Sequence, residues 1–164
     1  MARPRSLPDA DVFTAVLHLL ATQGDHAVSF SAIAQGTGLA AATLVQRYGN
    51  RAGMIRAALL WSWARLDAAL ADADSDTPQG LLKGLTEFMP DPSILSASLR
   101  DTAARDRAEG WRKRLEGRLA LHLGGGAKGE EGAAILFAAW QGDLLWRAAG
   151  GKGFRLKDAA KRIG

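Results

Sequence analysis

The chain has 164 residues, of which 48% are hydrophobic and 23% charged, and it carries a formal net charge of +4 with an isoelectric point near 9.8. That composition is ordinary for a globular chain, and no apolar run approaches the roughly 18 residues of a membrane span, so no membrane role is expected. With no cysteine there is no disulfide framework, thiol nucleophile or thiolate metal site, which fits a protein kept in a reducing cytoplasm. The excess of positive charge favours a polyanionic partner only mildly.

At the N-terminus Arg3 and Arg5 form a basic arm, but Asp9, Asp11 and His18 interrupt the apolar stretch beyond it, so a signal peptide is not expected. After Pro8, Phe13, Val16, Leu17 and Leu20 recur at helical spacing, with Asp9 and Asp11 in a first turn that favours acids, and Gly24 supplies a stop. A short second helix fits Phe30 to Thr37 with Ser29 as its N-cap. A third comes after Gly38 in the stretch GLAAATLVQRYGN, and Asn50 can cap a long fourth helix in which Ile55, Leu59, Trp63, Leu66 and Leu70 form a stripe.

Asp72 to Pro78 is a polar break, after which helix resumes from Gln79 to Phe88 and ends at Met89-Pro90-Asp91-Pro92. Ser93 to Leu123 contains a charged helix with Leu115, Leu119 and Leu123 on one face, followed by a flexible Gly124-Gly125-Gly126 loop. Glu130 to Ala149 is a further helix and a short basic one closes the chain from Phe154. No strand pattern occurs, so the expected class is all-α.

On the third helix Leu44 and Tyr48 share one side, spaced for burial, while Gln46 lies opposite, flanked by Ala42 and Thr43, with Arg47 at the border. Two short helices joined by a glycine turn, the second with an outward polar edge, match the helix-turn-helix plan, in which the second helix enters the major groove. There Gln46 could bond adenine, Arg47 could read guanine or hold a phosphate, and Thr43 could do either. Small residues such as Ala41 and Ala42 permit close approach to the groove floor, although helix propensity alone also accounts for the alanines. Arg51, in the first turn after Asn50, is a cation at a helix N-terminus, where a phosphate could share it with free backbone amides.

Residues Val12 to Leu59 resemble the DNA-binding domain of tetracycline-repressor-like (TetR family) transcriptional regulators. The likeness rests on Ser29-Phe30, Ile33-Ala34, Gly38-Leu39, Thr43-Leu44, Tyr48, Asn50-Arg51 and Met54-Ile55, in order and spacing. The family's pattern usually has a basic or polar residue near Ala41 and often an aromatic at Val45, so this helix carries fewer DNA contacts than most. The resemblance implies a helix-turn-helix domain over 1–55, with Ser31, Ala41, Ala42, Thr43, Gln46, Arg47 and Arg51 at the DNA. It implies a helical ligand-binding and dimerisation domain over 56–164, and a repressor released by a small apolar inducer. The partners would be a pseudo-palindromic double-stranded operator and a second copy of the chain. A fold that persists as a helical ligand- or protein-binding module without DNA binding is the alternative.

Ile135, Leu136, Phe137, Trp140, Leu144, Leu145 and Trp146 make one helix apolar nearly all the way round, which calls for burial on two sides. Leu136, Trp140, Leu144 and Arg147 are the expected dimer contacts, with Gly142 allowing a close backbone approach; a central core helix in a monomer is the competing explanation. The chain holds five tryptophans. Trp61, Phe88, Trp111, Phe137 and Trp140 could line an apolar cavity with Gln141 as its polar handle, or simply form core. Acids interleave the basic run Arg105 to Arg118, so it reads as a solvated helix face. The three histidines are isolated, and the glycine loop lacks phosphate-loop spacing, so neither catalysis nor a cofactor or metal is expected.

Overall fold

The computed structural model describes residues 7–150 and 155–163, except for the side chains of Lys157 and Ile163. All regular structure among them is helical: α1 Asp9–Thr22, α2 Phe30–Thr37, α3 Ala41–Tyr48, α4 Arg51–Asp72, α5 Pro78–Leu85, α6 Pro92–Arg100, α7 Thr102–His122, α8 Gly126–Trp146 and α9 Leu156–Ile163. Single 3-10 turns lie at Asp25–Ala27, Thr86–Phe88 and Arg147–Ala149. The basic arm at Arg3 and Arg5, and Phe154 at the expected start of the last helix, lie outside the described residues.

Side-chain caps set most of the helix starts. Ser29 Oγ accepts the amide of Ala32 at 3.1 Å to open α2, and Asn50 Oδ1 accepts that of Gly53 at 2.8 Å to open α4. Thr77 and Asp91 cap α5 and α6, each followed by proline at the first helical position, where the missing amide costs nothing. Gly38 ends α2 in the left-handed region at φ 72°, with its amide donating to the Ala34 carbonyl. At Gly53 a β-carbon would stand 2.4 Å from the Tyr48 carbonyl oxygen, so only glycine lets α3 and α4 meet this closely.

Between Ser93 and Leu123 the expected charged helix is α7, and α6 stands ahead of it as a separate helix. Asp101 is extended (φ −97°, ψ 124°) and its carboxylate accepts the Ala104 amide at 3.0 Å, capping α7. The same carboxylate takes Arg56 Nε at 2.8 Å. Burial alone would raise the Asp101 pKa, but the Ala104 amide and then Arg56 outweigh it and hold the carboxyl below the usual range. The three glycines are a tight turn, with α8 already under way at Gly126.

The helices form two compact units, Met1–Ala64 with Pro90–Ala108, and Arg65–Met89 with Glu109–Gly164. A boundary drawn between residues 55 and 56 on the linear chain leaves out α6, whose Ile94 and Ala97 join Val12, Val16, Leu20, Ile33, Leu44, Met54 and Leu59 in the core of the first unit. Each of these side chains except Ala97 contributes on the order of 1.5–3 kcal/mol by leaving water. Ser98, buried in this unit, accepts Trp63 Nε1 at 3.0 Å and donates to the Ile94 carbonyl at 2.9 Å. In the second unit Leu81, Leu82, Leu85, Leu115, Leu119, Leu136, Trp111 and Trp140 are all within 1% of full burial.

Part of the Arg105–Arg118 run is spent inside the chain. Arg118 donates to the Leu70 carbonyl and, at 2.7 Å, to the Ala73 carbonyl, closing the C-terminal end of α4, while Arg114 pairs with Asp67 and Arg112 with Glu116.

Candidate nucleic-acid interface

Helices α2 and α3, with the turn Gly38-Leu39-Ala40 between them, pack on α1 and each other. Helix α3 is held by its inner face alone. Leu44 is fully buried, and the half-buried Tyr48 sets its ring 5.8 Å from that of Phe13 and donates its hydroxyl to Asp9 Oδ1 at 2.6 Å. Burial, and then the bond to the Asp9 carboxylate, push the Tyr48 pKa up to about 12, with Arg47 pulling the other way.

Arg47 is the side chain whose placement the local sequence conceals. Its Nη1 turns back to the start of α1, donating to the Leu7 carbonyl at 3.0 Å and to Asp9 Oδ1 at 3.2 Å. Arg51 behaves alike: Nε donates to the Val28 carbonyl at 2.6 Å, and Nη2 to the Asp25 carbonyl and, at 2.8 Å, to Asp25 Oδ2. A cation at this helix N-terminus therefore has intramolecular acceptors, and a phosphate at either arginine would have to share it with a carboxylate. Those carboxylates lie 38 and 26 residues away, beyond what spacing along one helix reveals.

Apart from Arg47 at its border, what α3 presents outward is uncharged. Ala41, Ala42 and Gln46 are exposed, Thr43 is half-buried and Val45 is 44% exposed. Ser31 is exposed in the first turn of α2. The resulting surface offers one amide, two hydroxyls and a run of apolar atoms, a set able to pair with base edges but holding no unpaired cation.

The aromatic side chains are divided between the two units. Trp61 packs on Phe13 at 5.8 Å in the first unit. In the second, Phe137 stands edge-on between Trp111 at 6.4 Å and Trp140 at 6.2 Å, with the Arg112 guanidinium 5.4 Å from its centroid. The indole N–H groups of Trp111 and Trp140 donate to the Leu66 carbonyl and to Thr86 Oγ1, each at 3.2 Å. These two tryptophans are filled core, as large aromatics at helical spacing often are. Of the expected ligand contacts, Phe88 lines an open cleft of about 460 Å³ together with Arg65, Ala69, Asp72 and Leu81. Gln141 Nε2 is buried with no hydrogen-bond partner, a donor whose desolvation is uncompensated.

The expected dimer contacts differ in their exposure. Leu136 and Trp140 are fully buried within the single chain and have no surface to offer, whereas Leu144 is half-buried and Arg147 is exposed and paired with Asp143 at 2.6 Å. The apolar surface that α8 leaves open is Ile135 (50% exposed), Leu145 (57%) and Trp146 (65%). A β-carbon at Gly142 would meet nothing within 4 Å.

No protein-family model and no curated protein matches the sequence. Solved structures do. A TetR-like transcriptional regulator from Rhodococcus sp. RHA1 aligns over 99% of this chain and 94% of its own, with TM-score 0.72 and 21% identity. A protein described as a transcriptional regulator from Saccharomonospora viridis, solved with choline, aligns over 94% of this chain and 92% of its own, with TM-score 0.64 and 18% identity. The multidrug binding protein EbrR, solved with imidazole, aligns over 99% and 95%, with TM-score 0.58 and 18% identity. Over nearly its whole length, then, the chain has the fold of the TetR-like transcriptional regulators.

Proposed function

We propose that the chain is a DNA-binding transcriptional regulator, acting as a homodimer and most simply as a repressor released by a small apolar ligand. The observation that carries this is α3: eight residues anchored by Leu44 and by the Tyr48–Asp9 bond, with Ala41, Ala42, Thr43, Val45 and Gln46 facing away from the core. A helix that spends its inner face on attachment and keeps small, neutral groups outside suits close insertion into a major groove. Ser31 at the head of α2 and Arg47 and Arg51 at the edges would meet the flanking phosphates, each arginine shared between its carboxylate partner and the DNA.

Dimerisation is assigned to the open face of α8, through Ile135, Leu145 and Trp146 with Leu144 and Arg147 beside them. A twofold dimer would present two α3 helices to a pseudo-palindromic operator. The ligand is assigned to the second unit, in the cleft beside Phe88 or near the unpartnered Gln141 amide. Two structures similar to this chain were solved with small molecules, choline and imidazole, which supports a small-ligand partner.

The test is electrophoretic mobility on DNA upstream of the protein's own coding sequence, with the wild type and with Thr43→Ala/Gln46→Ala. Both substitutions lie away from the buried core, so helical content should be unchanged. Loss of the shifted band in the variant supports groove reading by α3. Equal shifts would remove Thr43 and Gln46 from the interface, and no shift with either protein would favour a ligand- or protein-binding module of the same fold.

A further inference from the structure

We infer that α3 selects A·T pairs by packing Val45 and Ala42 against thymine methyl groups, with Gln46 reading an adjacent adenine. This rests on the DNA-binding reading and specifies what that site recognises.

The outward face of α3 lacks the groups that read G·C pairs. A guanine is read best by an arginine or lysine that reaches its O6 and N7. The cation on α3, Arg47, lies about 100° round the helix from Gln46, at the border of the outward face, with Nη1 on the Leu7 carbonyl and Asp9, and Arg51 stands at the start of α4 against Val28 and Asp25, so both are placed for phosphates and not for base edges. Cytosine is read through its amino group by a carboxylate, and the sequence AATLVQRY contains none. Two kinds of group remain. One is polar and neutral: the Gln46 amide, whose paired donor and acceptor match adenine N6 and N7, and the half-buried Thr43 hydroxyl. The other is apolar: Ala41, Ala42 and Val45.

Ala42, Val45 and Gln46 stand at i, i+3 and i+4, so they share a face and meet neighbouring base pairs together. Val45 decides the chemistry. It is 44% exposed on an eight-residue helix whose other apolar anchor, Leu44, is fully buried. Pressed into a groove, its methyls would desolvate the base edges opposite without bonding them, which is unfavourable against guanine, cytosine or adenine. The thymine C5-methyl is the one apolar group that the major groove displays. Small neighbours at Ala41 and Ala42 let the backbone come near enough for that contact.

The experiment selects sites for the full chain from a random duplex library, then replaces each thymine of the selected half-site with deoxyuridine. That change removes one methyl and leaves the base pairing intact. At the positions facing Val45 and Ala42 binding should weaken roughly fourfold per methyl, the worth of one buried carbon. With Val45→Ala, a surface change, the methyl effect at its position should shrink toward none. A selected half-site that tolerates uracil throughout, or one centred on G·C pairs, would overturn the inference while leaving DNA binding intact. Failure to enrich any sequence would overturn the DNA-binding reading itself, and this inference with it.

Discussion

Asp9 serves two residues of α3 at once, accepting the Tyr48 hydroxyl at 2.6 Å and Arg47 Nη1 at 3.2 Å, and so ties the outermost helix to the first turn of α1. The chain contains a single tyrosine, so its phenolate absorbance reports this contact alone. In the folded protein the titration midpoint should lie near 12, against about 10 in the unfolded chain. The folded pKa is the higher one, so the contribution is fully present below about pH 10 and is lost as the pH rises toward 12. Asp9→Asn should lower the midpoint part of the way, because burial remains; an unchanged midpoint would leave burial as the sole cause. Tyr48 facing inward was legible from its spacing with Leu44. Its partner was not, and neither were those of Arg47 and Arg51, because periodicity tells which side a residue faces but not which distant carboxylate folds back to meet it.

At the scale of elements, the joint at Asp101 carries both a helix cap and an ion pair, and the two can be separated. The Arg56 side chain is 51% exposed, so its ion pair is screened and worth little, whereas the loss of a cap costs about 1 kcal/mol. Urea denaturation should therefore show Asp101→Ala destabilised by about 1 kcal/mol and Arg56→Ala by clearly less; equal losses would make the ion pair, and not the cap, the source of the effect. The folded pKa of Asp101 is depressed, so its contribution is present above the unfolded value of about 3.9 and is lost as the pH falls through the lower folded value. This joint was invisible in the sequence because helical spacing continues on both sides of it, whereas the caps at Ser29 and Asn50 and the turn at Gly38 announce themselves by residue type. Membership of α6 in the first unit is hidden for a related reason: Ile94 and Ala97 find their core through the fold, not through neighbours in the chain.

For the whole molecule, the open apolar face of α8 sets the expected assembly. Light scattering at micromolar concentration should give a dimer mass, and Leu145→Glu, which places a charge on a 57% exposed position, should give a monomer of unchanged helicity. A monomeric wild type would contradict the assigned face. Sequence periodicity could not choose the inner residues of α8, because a helix apolar all round has no polar stripe to orient it. Leu136 and Trp140 proved to be core, leaving Ile135, Leu145 and Trp146 outside. The central claim, that this fold presents α3 to DNA, is tested most directly by binding to the upstream duplex and to a random duplex of equal length at two salt concentrations. A DNA-binding α3 should give a clear preference for the upstream duplex, with affinity falling as salt rises because phosphates are contacted. Weak binding that is equal for the two duplexes would contradict it.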